Sequence, residues 1–322
     1  MRLRLLPLET ADYDAHDLHR NERCWTETNC YVDVFVEILH SLGLDPLAAC
    51  AFTLSTDFEG EQWAFFKPPP EDLRRLYGIE IGEMNVFRPL ADHVVEQLVL
   101  GRLLTVEVDA FFLPDTEGVS YRRQHVKTTI VPQMIDTAER RLGYFHNAGY
   151  FELAGEDYAG ALQVDTGLTT LPPYVELVRL DRLVRDEGRL ATIAAELGRE
   201  HLERRPVDNP VTRMAKRIDA DLPHLVEAGL EGFHGYAFGT CRQCGANAEI
   251  AADFLDWLSA RGLGYPQAAA AAYRRLSASA KALEFGLARA AAGRRFDPSA
   301  TLEEMAAAWE EAAATLAVSR GG

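Results

Sequence analysis

The chain has 322 residues and carries 33 Lys and Arg against 49 Asp and Glu, a formal net charge of −16. That balance excludes general nucleic-acid binding, which needs a basic face, and obliges any acidic partner to find a local basic patch. With 48% hydrophobic and 25% charged residues, this is an ordinary globular composition with length for one large domain or two.

The N-terminal apolar run is too short for a signal peptide, and no uninterrupted apolar stretch approaches the length of a bilayer span. The expected compartment is the cytoplasm, with no membrane and no nucleic acid as partner. Five cysteines, Cys24, Cys30, Cys50, Cys241 and Cys244, do not make a disulfide framework in a chain this long.

Residues 1–24 read as polar and irregular. Val32, Phe35, Val36, Ile38, Leu39 and Leu42 then recur at helical spacing, and Gly43 ends the run. Thr28 and Asn29 are good N-cap types, so Cys30 falls in the first turn of the helix. Unpaired N–H groups and the helix dipole there favour a thiolate, the way papain-like enzymes build a nucleophile; the alternative is a buried structural thiol. Residues 57–70 mix acids, aromatics and prolines and read as a loop with a short strand. Helices are expected over Glu71 to Tyr77 and Leu90 to Leu100.

Strands are expected over Leu103 to Leu113 and Tyr121 to Val131. A hairpin is expected from Leu142–His146 and Tyr150–Leu153, around the turn Asn147-Ala148-Gly149. From Leu171 onward alanine and arginine rise. The segments Leu177–Arg185, Arg189–Leu202, Val211–Ala228, Ala246–Ser259, Pro266–Ala292 and Leu302–Ala317 all read as helices. The expected fold class is α+β, with a helix-then-antiparallel-sheet domain over 1–168 and an all-α domain over 169–322.

Cysteine catalysis also needs a base, a group to orient that base, and N–H donors for the oxyanion. His125 in one strand and Asn147 after the next give the order Cys30, His125, Asn147. Asp136 is a rival orienter. Asp109 is another, because an acid inside an apolar strand must be paired if buried. Each also has a plainer reading, His125 as a surface histidine and Asn147 as turn chemistry. The acids Asp57, Glu59 and Glu61 are candidates for holding a cationic amino group, or form a solvated loop; Trp63 beside them is a pocket wall or core. Cys241-Arg242-Gln243-Cys244 is a single CxxC without a second ligand pair, so no metal is expected.

The stretches Glu27-Thr28-Asn29-Cys30-Tyr31, Asp57–Trp63 with Phe65–Pro69, Val108–Pro114 and Thr240–Ala246 resemble a bacterial family of unknown function over nearly the whole chain. More distantly, Cys30, Val108-Asp109 through Pro114, and His125 opening Val126–Val131 resemble the butirosin-biosynthesis acyltransferase family. Behind that family stand the papain-like peptidases that cut double-glycine leaders. The resemblance implies a papain-like cysteine acyltransferase. It would take an aminoacyl or peptidyl group from the phosphopantetheine arm of an acyl carrier protein to an amine or hydroxyl acceptor, with no bound cofactor. Members of the unknown-function family tend to accompany amino-acid-activating and carrier-protein genes. The peptidases have Asp-Pro where this chain has His146-Asn147, and no glutamine precedes Cys30 at their spacing. The Cys30 N–H with the Asn29 or Thr28 side chain is then expected to serve the oxyanion, and Glu27, Arg242 and Gln243 to contact substrate. A hydrolase on the same residues, or a non-catalytic module binding a carrier protein or small amine, are the alternatives.

Overall fold

The structure, a computed structural model, describes residues 2–164 and 171–318. It divides into two compact units, each assembled from separate stretches of chain. The first is Met1–Arg20, Asn29–Pro46 and Pro69–Arg185; the second is Asn21–Thr28, Leu47–Pro68 and Asp186–Gly322. The expected boundary at 168 falls outside the described residues.

The first unit is α+β. It contains β1 (Arg2–Arg4), α1 (Cys30–Ser41), α2 (Pro70–Tyr77), β2 (Glu80–Glu83), α3 (Leu90–Val99) and β3 (Leu103–Asp109). There follow β4 (Lys127–Asp136), β5 (Arg141–His146), β6 (Gly149–Ala154), α4 (Glu156–Ala161) and β7 (Val175–Arg179). The strands make one antiparallel sheet in the order β2-β7-β3-β4-β5-β6, with β1 pairing the far half of β4. The β5–β6 hairpin forms as expected, with Asn147 left-handed at φ 44° in its turn. Two expectations change. The strand expected from Tyr121 starts only at Lys127, because residues 114–123 are spent on a short 3-10 helix and turns. The helix expected over Leu177–Arg185 is instead strand β7, inserted between β2 and β3. So short an apolar run has no period of its own, and pairing partners decide it.

Helix α1 packs on β4, β5 and β6. Every residue from Tyr31 to Leu39 is buried, Asp33 and Glu37 included. Two carboxylates one turn apart cannot be buried without partners. The N-terminal segment supplies them. His19 reaches Asp33 at 3.4 Å through Nε2 and bonds Glu37 through Nδ1, the Tyr13 hydroxyl donates to Glu37, and the His16 N–H donates to it at 3.1 Å. Burial alone would lower the His19 pKa, but the hydrogen bonds and charges of Asp33 and Glu37 outweigh it and raise it to about 9.

The second unit is helical: α5 (Glu187–Glu203), α6 (Pro210–Ala237), α7 (Gln243–Ala260), α8 (Gln267–Ala291) and α9 (Ser299–Val318). Helix α8 packs against α6, α7 and α9 through buried alanines such as Ala269, Ala272 and Ala280. Helix α6 bends at Gly229, where φ is 66°, and runs into a π-helical turn, Phe238–Arg242, that leads to α7. The carbonyl of Gly239 in that turn accepts the Trp63 N–H at 2.9 Å, and the Trp63 indole donates to Met214 Sδ. Trp63 is thus core, closing the loop Asp57–Trp63 onto α6. No described helix is long and apolar enough to cross a membrane.

A folded-state pKa raised above the unfolded value contributes stability that is whole below the unfolded pKa and lost as pH climbs through the folded one. Wild type is therefore expected to lose stability relative to His19→Gln between pH 6.5 and about 9, by about 3 kcal/mol at most. Urea denaturation of both proteins across that window measures it; parallel curves would rule out a buried His19 cation.

Candidate active site

Cys30 is the first residue of α1. Asn29 is its N-cap, with its side-chain oxygen accepting the N–H groups of Tyr31 at 3.1 Å and Val32 at 3.0 Å. That oxygen can only accept, whereas an oxyanion needs donors, and the Cys30 N–H at the helix tip is a backbone donor placed for one. The Cys30 thiol is half-buried and donates to Thr129 Oγ1 at 3.7 Å. Thr129 lies on β4 and carries no signal in the sequence; only the packing of α1 on β4 identifies it.

The register fixes what else shares that face. Glu107 pairs with Thr129, and Asp109 with Lys127. Directly opposed residues, and residues two apart on one strand, project to the same side. Cys30 therefore faces the side of the sheet that carries Glu107, Asp109, Lys127 and Thr129. At its edge His125 Nδ1 donates to Asp109 Oδ2 at 2.5 Å, and the imidazole stacks on Phe111 with ring centroids 4.5 Å apart. An Nδ1–H held by a carboxylate leaves Nε2 as the basic nitrogen. The side chain of His125 is 72% exposed. A cavity of about 370 Å³ runs beside it, lined by Asp109, Lys127, Gln163 and Tyr174 among others. Cys30 and His125 are not hydrogen-bonded. Four residues, roughly 13 Å of extended chain, separate position 125 from Thr129, and Lys127 between them is ion-paired diagonally with Glu107 at 2.9 Å.

The remaining candidates divide sharply. Of the expected orienters, it is Asp109 that bonds His125. Asn147 occupies the hairpin turn. Asp136 closes the opposite end of β4, roughly 30 Å along the strand from Lys127, where it accepts the Ala138 N–H in a turn. His146, which the sequence did not single out, pairs with Ile130 and so projects to the other face, where it meets Thr128 Oγ1 at 2.8 Å and bonds Asp115.

The residues expected at substrate through Glu27, Arg242 and Gln243 belong to the helical unit and hold the peptide ahead of Cys30. Glu249 on α7 accepts the Cys24 and Trp25 N–H groups at 3.0 Å each. The Trp25 indole donates to Ser277 at 3.1 Å, and its ring lies where a side chain at residue 245 would be; only glycine fits at Gly245. Gln243, fully buried, donates to the Thr28 carbonyl at 3.3 Å, and Arg242 pairs with Glu27 at 3.3 Å. The motif Thr240–Ala246 is therefore a cradle for residues 24–28. Its cysteines are buried, and desolvation pushes the Cys241 thiol up to about 12 and Cys244 well above its ordinary value. Asp57 is ion-paired with Arg213, while Glu59 and Glu61 are exposed.

Two outcomes are expected. Iodoacetamide at pH 8, followed by peptide mapping, labels Cys30 in the folded protein and leaves Cys241 and Cys244 unlabelled until denaturant is added; early labelling of the pair would contradict their burial. Glu249→Ala strands the buried Trp25 N–H and the part-buried Cys24 N–H and lowers unfolding free energy by about 3 kcal/mol in a denaturant titration.

No curated protein matches the chain. Two family models do. The DUF1839 N-terminal domain matches residues 14–180, and the DUF1839 C-terminal domain matches residues 187–318. These spans run through the sheet and then the helices, Cys30, Asp109 and His125 falling in the first and the Thr240–Ala246 cradle in the second. The chain belongs to the DUF1839 family.

Proposed function

We propose that the protein is a papain-like cysteine acyltransferase. The observation that carries this reading is one face of one sheet: Cys30 at the tip of a capped helix and, at the edge of that face, a histidine with a carboxylate on its Nδ1. The donor is an aminoacyl or peptidyl thioester on the phosphopantetheine arm of an acyl carrier protein, and the acceptor is an amine or hydroxyl. The cavity beside His125, about 370 Å³ in volume, offers room for part of such an arm, and Lys127 lies in its wall.

The chemistry proceeds in two halves. His125 takes the Cys30 proton, and Cys30 sulfur attacks the thioester carbonyl. The carbonyl oxygen becomes an oxyanion facing the Cys30 N–H. It collapses with cleavage of the bond from carbon to the pantetheine sulfur, which leaves as a thiol carrying the proton from His125. The acceptor then attacks the acyl-cysteine, gives its proton to His125, and Cys30 departs and is reprotonated. For the first half His125 must close on Cys30 once donor occupies the cavity. Its exposure, with one hydrogen bond and one stacking contact, suits a group that moves.

Intact-protein mass after mixing with a panel of aminoacyl and acyl phosphopantetheine thioesters tests the reading. Wild type is expected to gain the acyl mass and Cys30→Ala to gain none. His125→Ala should slow acylation by about 100-fold or more, and Asp109→Asn should also slow it. Acylation of Cys30→Ala, or neither adduct nor thioester loss with any donor, would sink it. Adduct decay that needs an added amine or hydroxyl identifies a transferase; decay in water alone identifies a hydrolase.

A further inference from the structure

The helical unit holds a second cavity that owes nothing to Cys30. It measures about 210 Å³ and is lined by Glu61, Arg217, Asp221, Gly235, Tyr236 and the π-helical turn at Gly239 and Thr240. π-helical turns inside longer helices recur at ligand sites because they displace a side chain and free a carbonyl. Here the turn follows directly on the Gly229 bend, and the Gly239 carbonyl is the one that fixes the loop carrying Glu61.

Arg217 and Asp221 pair within the cavity, and Glu61 is left over. Arg217 uses its Nε on Asp221 at 2.6 Å, while its Nη1 and Nη2 carry no hydrogen bond among the described residues. Glu61 has no ion-pair partner among them, although its charge is close enough to act on Arg217. A carboxylate and the outer edge of a guanidinium thus share one small space without bonding each other. The Tyr236 hydroxyl is buried near Asp221; burial first, then that carboxylate, push its pKa up, so it stays a neutral donor. Gly235 has nothing within 4 Å of where a β-carbon would stand, so its missing side chain is what keeps the cavity open.

We propose that this cavity binds a free α-amino acid, its ammonium facing Glu61 and its carboxylate taken by the outer nitrogens of Arg217. A bare amine would leave those nitrogens without an anion. A bare carboxylate would set its charge against Glu61 and leave it without a cation. A zwitterion satisfies both ends at once, and the volume suits one residue rather than a peptide. The reading is independent of Cys30, so it stands or falls apart from the acyl-transfer proposal.

The test is isothermal titration calorimetry of the full chain, in wild type and in Cys30→Ala, with each of the common L-amino acids and with ethylamine and acetate as half-ligands. At least one amino acid should bind both proteins with a Kd below about 1 mM, and Arg217→Gln and Glu61→Gln should each weaken it by about tenfold or more. Gly235→Leu sits at a helical position with open space, so it fills the cavity while leaving the melting temperature unchanged or higher; it should abolish binding. The proposal is overturned by any of three results: no amino acid binds at about 10 mM, binding survives Gly235→Leu, or ethylamine binds as tightly as the amino acid.

Discussion

The placement of Cys30 depends on burying a helix that carries charge. Helix α1 sinks into its unit over Tyr31–Leu39, and the two carboxylates on it would forbid that if left alone. His19, Tyr13 and the His16 N–H turn the liability into the joint that fixes the N-terminal segment over the helix. Cys30 lies on the same face of α1, one turn before Asp33 and two turns before Glu37, and there the helix meets β4. That contact, through Thr129, sets the height at which the thiol meets the sheet. The two buried carboxylates add a requirement that a neutral helix lacks: its packing must bring His19, Tyr13 and the His16 N–H to them.

Much of this was legible beforehand, and for physical reasons. The helix and its cap follow from spacing and from Asn29. The hairpin follows from a turn that asks for a left-handed residue, and Asn147 takes that conformation readily. Asp109 was visible as an acid in an apolar strand and a candidate partner for His125, which it bonds while staying part-exposed. Asn147 and Asp136 were drawn toward His125 by chain order alone, and the sheet places one in a hairpin turn and the other at the far end of β4. Strand β7 was not legible because its identity rests on β2 and β3. Thr129 is an ordinary strand residue until α1 lies on it.

The acidic and CxxC motifs teach the same lesson from the other side. Asp57, Arg242 and Gln243 attract attention as polar residues in unusual runs. Each spends its polar group on the protein itself, with Arg213, Glu27 and the Thr28 carbonyl. Buried polar groups must be satisfied, and a distinctive motif is often the record of that requirement rather than of a ligand. Glu61 differs because its charge remains unmatched beside the half-used guanidinium of Arg217.

The cradle for residues 24–28 also sets a timetable for synthesis. Cys24 and Trp25 wait for a carboxylate 225 and 224 residues further along the chain. At ordinary elongation rates about 11–45 s separate the emergence of Trp25 from that of Glu249. Until then Trp25 has neither Glu249 nor Ser277, and the peptide leading into Cys30 is untethered. A prematurely terminated chain ending near residue 180 would carry Cys30, Asp109 and His125 yet lack the cradle. The nascent chain would thus meet its last partner for the residues ahead of Cys30 only when most of the helical unit had been made.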